Sequence, residues 1–482
     1  MKTLTFANLN NRQTNVQIED LQRLADQIRG ALIQPQDPIY DEARRLWNGM
    51  FDKRPAAIVQ CVGVADVIDA VRFARDRQLL VAIRGGAHNV AGLASYDGGL
   101  VIDLSHMRAV HADPIAKTVR VEAGAQLGDI DRETQVFGLA VPTGVVSETG
   151  IAGLTLSGGA GWLRRKWGMT CDNLIAVELV TADGQWLKAS KTENPDLFWA
   201  LRGGGGNFGV VTSFEFELHP LGPDVMFCFV LYPASKNILQ RYRKFAQNEP
   251  EEVGMLSFTG RVPADENFPE AWWHQPFFAI AACYVGPADN GEIVFQPLRE
   301  LGTPIVDFSD RMAYTEVQKF LDADYPKGRN YYWKSVYLKE FTDDTIDALL
   351  ALNRQAPSPH STIDIWTMGG AMGRVGANES PLSPRNAPFM IGIEANWDDA
   401  KDSEAHSAQV NQQNIAWVRD CVEGLAPFAA PGIYLNFPGF MEDADQMVKT
   451  AFGDNFSRLL AIKQKYDPDN FFRLNQNINP EA

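Results

Sequence analysis

Three glycine-rich stretches and one histidine are the residues whose type and spacing could do chemistry here. The stretches run over 84–92 (Arg-Gly-Gly-Ala-His-Asn-Val-Ala-Gly), 144–168 and 203–209. Glycine removes the side-chain barrier, so successive backbone N–H groups can turn toward one anion and approach it closely. A diphosphate is the commonest ligand that needs such a cradle. No stretch reads Gly-x-x-x-x-Gly-Lys-Ser/Thr, which disfavours an ATPase-type phosphate loop. Gly203 to Gly209 contains spacings related to Gly-x-Gly-x-x-Gly, but it precedes a strand instead of joining strand to helix, so the match is discounted. His88 sits in the first stretch, just after an apolar run. A lone loop histidine usually makes ordinary hydrogen bonds; beside an anion nest its imidazole is well placed to meet a phosphate-bearing cofactor.

Elements that could hold these loops are legible around them. Leu21, Leu24, Ile28 and Leu32 recur at helical intervals within 17–50. The apolar run Ala56 to Cys61, a helical stretch Val64 to Arg77, the strand Leu79 to Ile83 ending at Arg84-Gly85-Gly86, and the strand Gly99 to Leu104 make the rhythm of an α/β layer. Val210 to Leu218 alternates as a half-buried strand until His219-Pro220-Leu221-Gly222-Pro223 breaks it, which predicts a domain boundary. From about 224 to 430, strands such as Phe227 to Tyr232 and Phe277 to Tyr284 alternate with helical stretches at 236–248, 341–355 and 403–425. That pattern predicts a sheet with helices on one face, an α+β arrangement.

Bulk properties narrow the partners. Sixty acidic against 44 basic residues in 482 give a net charge of −16, which argues against nucleic acid because its phosphates would be repelled. The first fifteen residues lack the apolar core of a signal peptide, and no run of 18 apolar residues suggests a membrane span. Cys61, Cys171, Cys228, Cys283 and Cys421 are widely scattered, a spacing that fits neither a disulfide framework nor a zinc site. Buried thiols, no metal and a cytoplasmic setting are the expectation; the oligomeric state is not legible.

Arg84-Gly85-Gly86-Ala87-His88-Asn89-Val90-Ala91-Gly92 resembles the diphosphate loop of the FAD-linked oxidases of the vanillyl-alcohol-oxidase superfamily. Val141-Pro142-Thr143-Gly144 with Gly150 to Gly159 resembles that family's second flavin-contact segment, and Phe198 to Thr212 the third. Tyr466-Asp467-Pro468-Asp469-Asn470-Phe471-Phe472-Arg473 with Asn475-Gln476-Asn477-Ile478 is similar to the ending of the berberine-bridge-enzyme-like branch. The resemblance implies a two-domain architecture: a split FAD-binding domain at 1–220 and 431–482, and an α+β substrate domain at 221–430 with an antiparallel sheet covered by helices. It implies FAD held by Arg84, Gly85, Gly86, Ala87, Asn89 and Gly92 in the first loop. Thr143, Gly144, Gly150, Gly153 and Gly158 follow in the second, then Gly206, Asn207, Gly209, Val211, Asn475 and Asn477. His88 becomes the attachment point of the flavin 8α-methyl group. Val146 stands where many members of the branch carry a second, cysteinyl link, so a single covalent bond is expected.

The same resemblance implies hydride transfer from a small organic substrate, an amine or an alcohol, to flavin N5, with O2 as acceptor giving H2O2. Gly432-Ile433-Tyr434-Leu435-Asn436-Phe437 resembles the family's Tyr-x-Asn-Tyr strand, in which the last tyrosine acts as base in some relatives; here Phe437 has no ionisable group. Tyr331-Tyr332-Trp333-Lys334-Ser335 resembles a pocket strand of the nicotine-oxidising relatives. Asn436, Lys334, Tyr332 and Tyr434 are therefore the candidate catalytic residues, Lys334 serving as base if burial depressed its pKa. Asp364 and Trp366, in Thr362 to Trp366, alternate as a strand would, so both could face the cavity, and Glu394 is a further acidic candidate on the strand Phe389 to Ala395; structural roles are favoured over catalytic ones for all three. The alternatives are a dehydrogenase using another acceptor and a non-catalytic protein that kept the flavin scaffold.

Overall fold

A computed structural model of the chain describes residues 2–10, 12–400 and 402–481. In its first hundred residues, strands Ala57–Gln60, Leu100–Asp103 and Val81–Arg84 run parallel in that spatial order, with Ala31–Ile33 antiparallel on the outer edge. A parallel sheet is covered on both faces, which is why these strands read as unbroken apolar runs. Val59 and Ile102 face one core cluster, Ile58 and Val101 another. Helix Val64–Asp76 makes the crossover and buries Val67, Ala70, Val71 and Ala74 in the first of these clusters.

One sequence expectation needs correcting. Leu32 belongs to the edge strand Ala31–Ile33, not to the preceding helix, which ends at Gln27 where Ile28 turns extended. The carboxylate of Asp66 accepts hydrogen bonds from the backbone N–H groups of Arg29 and Gly30 and fixes the turn. Capture of those amides competes with further helix.

A five-stranded antiparallel sheet follows, in the order Trp186–Ser190, Leu174–Val180, Val210–Glu217, Thr118–Glu122, Val110–Asp113. Beyond Pro223 the chain enters an eight-stranded antiparallel sheet. Its path runs Val306–Asp307, Asp224–Pro233, Pro276–Tyr284, Val253–Arg261, Thr362–Thr367, Phe389–Trp397, Asn330–Leu338, with Asp310–Ala313 beside the second strand. Period-2 alternation divides it into two faces. Cys228, Val230, Ile363, Ile365, Ile391 and Ile393 pack under helices Lys236–Ala246, Asp343–Arg354 and Glu404–Leu425. Phe227, Leu256, Trp366 and Met390 join the core shared with the N-terminal half. The two-domain α+β architecture expected from sequence is the one observed.

The C-terminal segment returns to the third glycine stretch. On helix Phe456–Tyr466, the fully buried Lys463 pairs with Asp467 at 2.6 Å and donates to the carbonyls of Asn207 and Phe472. Asp467 in turn accepts from the N–H groups of Phe471 and Phe472. Such a pair is tolerable without water because its remaining lone pairs are met by backbone. All five cysteines are free and buried, and among the described residues no helix is long and apolar enough to cross a membrane.

Candidate active site

The loop leaving strand Val81–Arg84 meets the loop entering helix Ile151–Leu156 back to back. A Cβ on Gly86 would lie 2.5 Å from the backbone of Gly150, and one on Gly150 would lie 2.5 Å from that of Gly86. Only two glycines can cross so closely, and the crossing aligns both loops along one wall of a cavity. Ala87 then takes φ +59, a left-handed conformation costly for an L-residue, and His88 follows on the wall. Burial pushes the His88 imidazole down to about 4, with the charge of Lys327 adding to the effect, so the ring is neutral at physiological pH. Its face stacks on Trp47, centroids 4.9 Å apart.

The cavity gathers residues from every segment singled out in the sequence. Gly85, Gly86, Ala87, His88 and Asn89 line it from the first loop, and Gly144, Gly150 and Gly153 from the second. Gly206, Gly209, Val211 and Asn475 line it as well, and Tyr434 and Asn436 reach it from 432–437, which is loop and turn and not the strand its sequence resembles. At Gly153 and Gly206 an added Cβ would meet no protein atom within 4 Å.

Other predicted residues stand outside this wall and support it. Arg84 is buried against Asp103 at 3.6 Å. Gly92 turns with φ +65 beside the Phe51 ring, and Gly158 with φ +110 against Leu382 and Met169. Thr143 accepts from Gln318 through its hydroxyl. The Asn207 amide donates to the carbonyls of Gly204 and Gln476 and accepts from the N–H of Ile478, stitching the glycine stretch to the C-terminal segment. Asn477 is likewise absent from the lining, its Oδ1 buried without a partner among the described residues.

Tyr332 and Lys334 require a correction. Strand Asn330–Leu338 alternates, so Tyr331 and Trp333 point to the cavity side while Tyr332 joins the helix-side core. Lys334 has the parity of Tyr332, and its Nζ pairs with Glu442 at 3.1 Å. The Tyr332 hydroxyl donates to the same carboxylate at 2.5 Å, and Arg419 adds a third contact. Both residues are bound in this ion cluster outside the cavity.

Asp364, which the strand alternation allowed to face the cavity, does so, and Glu394 lines it too. Asp364 on strand Thr362–Thr367 and Glu394 on strand Phe389–Trp397 lie diagonally across the pairing in which Asp364 opposes Gly392 and Thr362 opposes Glu394. Both line the cavity with Trp333, Trp366 and Phe437. Burial lifts Asp364 to about 7, and lifts Glu394 well above the carboxylate range with the charge of Asp364 adding to it. Two like charges facing each other cannot both form freely, so ionisation of one carboxyl favours the neutral form of the other. Tyr325 donates to Glu394 at 2.9 Å. Asp364 Oδ1 and Trp366 Nε1 are buried with no partner among the described residues, a donor and an acceptor left for a ligand. Tyr434 is itself tied down: its hydroxyl accepts from Ala160 N–H at 2.9 Å and from the Asn436 amide at 3.0 Å. Burial raises its phenol, and the hydroxyl holds the Asn436 amide in place.

The residues fit a flavin dinucleotide. The glycine wall has room for it where Gly153 and Gly206 face no protein atom, and the neutral imidazole opens onto the same space. Comparisons with known proteins agree. The family model described as FAD binding domain matches residues 55–190, and the one described as berberine and berberine like matches 433–479. An FAD-linked oxidoreductase of Dictyostelium discoideum is 33% identical over 441 residues, covering 90% of this chain and 91% of that protein. (R)-6-hydroxynicotine oxidase of Paenarthrobacter nicotinovorans is 30% identical over 467 residues, covering 94% and 98%. The crystal structure of 6-hydroxy-D-nicotine oxidase from Arthrobacter nicotinovorans superposes with a TM-score of 0.81 at 29% identity over 94% of this chain and 98% of that one. BBE-like 1 of Physcomitrella patens shares the fold, with a TM-score of 0.82 at 22% identity over 96% and 99%.

Proposed function

The chain belongs to the berberine-bridge-enzyme-like family of FAD-linked oxidoreductases, and from that premise we propose that it oxidises a small, ring-bearing organic amine. One observation carries the choice of amine: the Asp364–Glu394 pair set among the aromatic walls Trp333, Trp366 and Phe437. Aromatic faces and a carboxylate attract a cation, and an alcohol would gain little from either.

On this reading 1–220 and 431–482 hold the cofactor and 221–430 holds the substrate. FAD is anchored by one bond at His88, Val146 standing where a second anchor would be. Bound FAD supplies the hydride acceptor, its N5 atom. The protein supplies the rest. An ammonium enters against Trp333 and Trp366, and the carboxyl pair takes one of its protons. The freed lone pair then becomes the C=N bond as hydride leaves the adjacent carbon. This division of labour explains why Phe437 needs no hydroxyl. The donors of the Asn436 amide are spent on Tyr434, Leu154 and Ser157, so its carbonyl oxygen is left to accept from the substrate N–H. Dioxygen is the proposed final acceptor, with hydrogen peroxide as product.

The test is anaerobic mixing of the purified holoenzyme with panels of cyclic amines, alcohols and glycosides, followed by admission of oxygen. Amines should bleach the flavin absorbance, and oxygen should restore it with release of peroxide. Bleaching by alcohols or glycosides alone would overturn the substrate class, and colour that does not return with oxygen would overturn the acceptor.

A further inference from the structure

Trp47 lies 41 positions before His88 yet is packed between that histidine and the substrate domain. The indole stacks on the His88 ring, centroids 4.9 Å apart with an interplanar angle of 17°, and on the Tyr331 ring at 3.8 Å and 10°. The side chain is buried, so these stacks are not diluted by water. Its backbone N–H donates to the carbonyl of Ala87 at 3.3 Å, and its indole N–H to the carbonyl of Tyr325 at 3.1 Å. The next residue, Asn48, is fully buried and spends its whole amide on the same junction. It donates to the carbonyls of Val90 and Tyr331 and accepts from Tyr331 N–H. Gly328 N–H donates to the Trp47 carbonyl, and Gly49 N–H to that of Arg329. The tripeptide Trp47–Gly49 is therefore stitched to the histidine loop on one side and to 325–331 on the other.

We propose that Trp47 is a positioning residue for the covalent bond at His88: its clamped indole fixes the plane of the imidazole at the cavity wall while the cofactor is attached. The proposal rests on the reading of His88 as the anchor. In the attachment, an imidazole nitrogen bonds the 8α-carbon of FAD. One hydrogen leaves the methyl group and one leaves the imidazole, and both end, with two electrons, on the flavin ring; dioxygen then removes them as hydrogen peroxide. Such a bond forms only in a narrow range of approach, and a ring free to rotate about its side-chain bonds samples that range rarely. Ala87 at φ +59 sets the backbone direction but leaves the imidazole torsions open, and the indole removes that freedom.

The experiment follows attachment, not turnover. Apo-protein of the wild type and of His88→Ala, Trp47→Phe, Trp47→Leu and Tyr331→Leu is incubated with FAD in air. Acid-stable flavin is read over time by colour of the precipitate and by peptide mass, and total flavin by what acid releases plus what it retains. The wild type should reach one attached FAD and His88→Ala none. Trp47→Leu should attach about tenfold or more slowly while still binding FAD. Trp47→Phe, which keeps a ring to stack, should stay near the wild-type rate, and Tyr331→Leu, which removes the backing of the indole, should fall between. If Trp47→Leu does not bind FAD, Tyr331→Leu decides in its place. Attachment at the wild-type rate in the deciding variant overturns the proposal alone. A wild type with no acid-stable flavin overturns the His88 reading and the proposal with it.

Discussion

The phenol of Tyr325 donates to Glu394 at 2.9 Å, while the backbone carbonyl of the same tyrosine accepts from the indole of Trp47. The carboxyl that titrates in the cavity and the wall that carries His88 are thus tied through one residue. Glu394 also faces Asp364, whose charge adds to the effect of burial on it.

Removing either member of the pair should therefore change the pH dependence as well as the rate. Glu394→Gln and Asp364→Asn should each lower kcat/KM for an amine by about 10²–10³-fold, the usual weight of a positioned proton acceptor. In the wild type, activity should fall below about pH 7 as Asp364 takes up a proton. In Asp364→Asn the limb belongs to Glu394 alone, which loses the like charge but keeps the burial that raises it, so the acid limb leaves its wild-type position. Steady-state pH profiles measure this. A limb that stays put in Asp364→Asn would remove the pair from the mechanism.

Lys334 supplies the complementary control. It pairs with Glu442 on the helix side of its strand, so Lys334→Ala should leave kcat/KM within about threefold of wild type, as for a surface change. Trp333→Ala, one residue earlier and on the cavity side, should cost about tenfold or more. A large loss of kcat in Lys334→Ala, with stability unchanged, would return that lysine to the chemistry.

Two glycines should separate folding from cofactor binding. Gly86→Ala drives a Cβ to 2.5 Å from the Gly150 backbone, so it should lower thermal stability and flavin content together. Gly153 lies in helix Ile151–Leu156 and its Cβ would touch no protein atom within 4 Å. Gly153→Ala should then stabilise the apo-protein by about 0.5–1 kcal/mol, the helix-propensity gain, yet weaken FAD binding because the new methyl occupies the cradle. Thermal melts of apo-protein and flavin titrations read the two effects. Wild-type affinity in Gly153→Ala would mean that the cofactor does not lie against this helix.

Local patterns in the sequence carried the cofactor half of the site further than the reaction half. Arg84 to Asn89, Gly144 to Gly153 and Gly206 to Val211 are contiguous runs, and their glycines announce a backbone cradle before any strand is paired. Asp364 and Glu394 are 30 positions apart and become a pair only through the register of two strands, which no local spacing encodes. Alternation in Tyr331-Tyr332-Trp333-Lys334 was readable as two faces, but which face meets the cavity depends on the helices packed behind the sheet. Lys334 therefore reads as a pocket residue in the sequence while its side chain pairs with Glu442 outside the cavity, and Trp333 takes the cavity side without a local signal. Trp47 and Tyr325 carry no motif at all; their roles come from long-range stacking and hydrogen bonding.

A buried carboxyl away from the cavity gives a prediction about stability. Asp131, on helix Leu127–Gln135, is fully enclosed; its Oδ2 accepts from Gln318 at 3.0 Å, while Oδ1 has no partner among the described residues. Burial raises it to about 7, and the Gln318 donor offsets only part of that. An unfolded aspartate titrates near ~3.9, so between about pH 4 and 7 the folded protein keeps a proton that the unfolded chain has released. Stability must therefore fall as pH rises through that window, by at most about 4 kcal/mol for a shift of roughly three pH units. Asp131→Asn keeps the shape and the acceptor for Gln318 and removes the charge. Its melting temperature should match the wild type near about pH 3, where the carboxyl is neutral in both the folded and the unfolded chain, and exceed it near pH 8. Equal melting temperatures at pH 8 would mean that Asp131 ionises without cost, and the burial argument for it would fail.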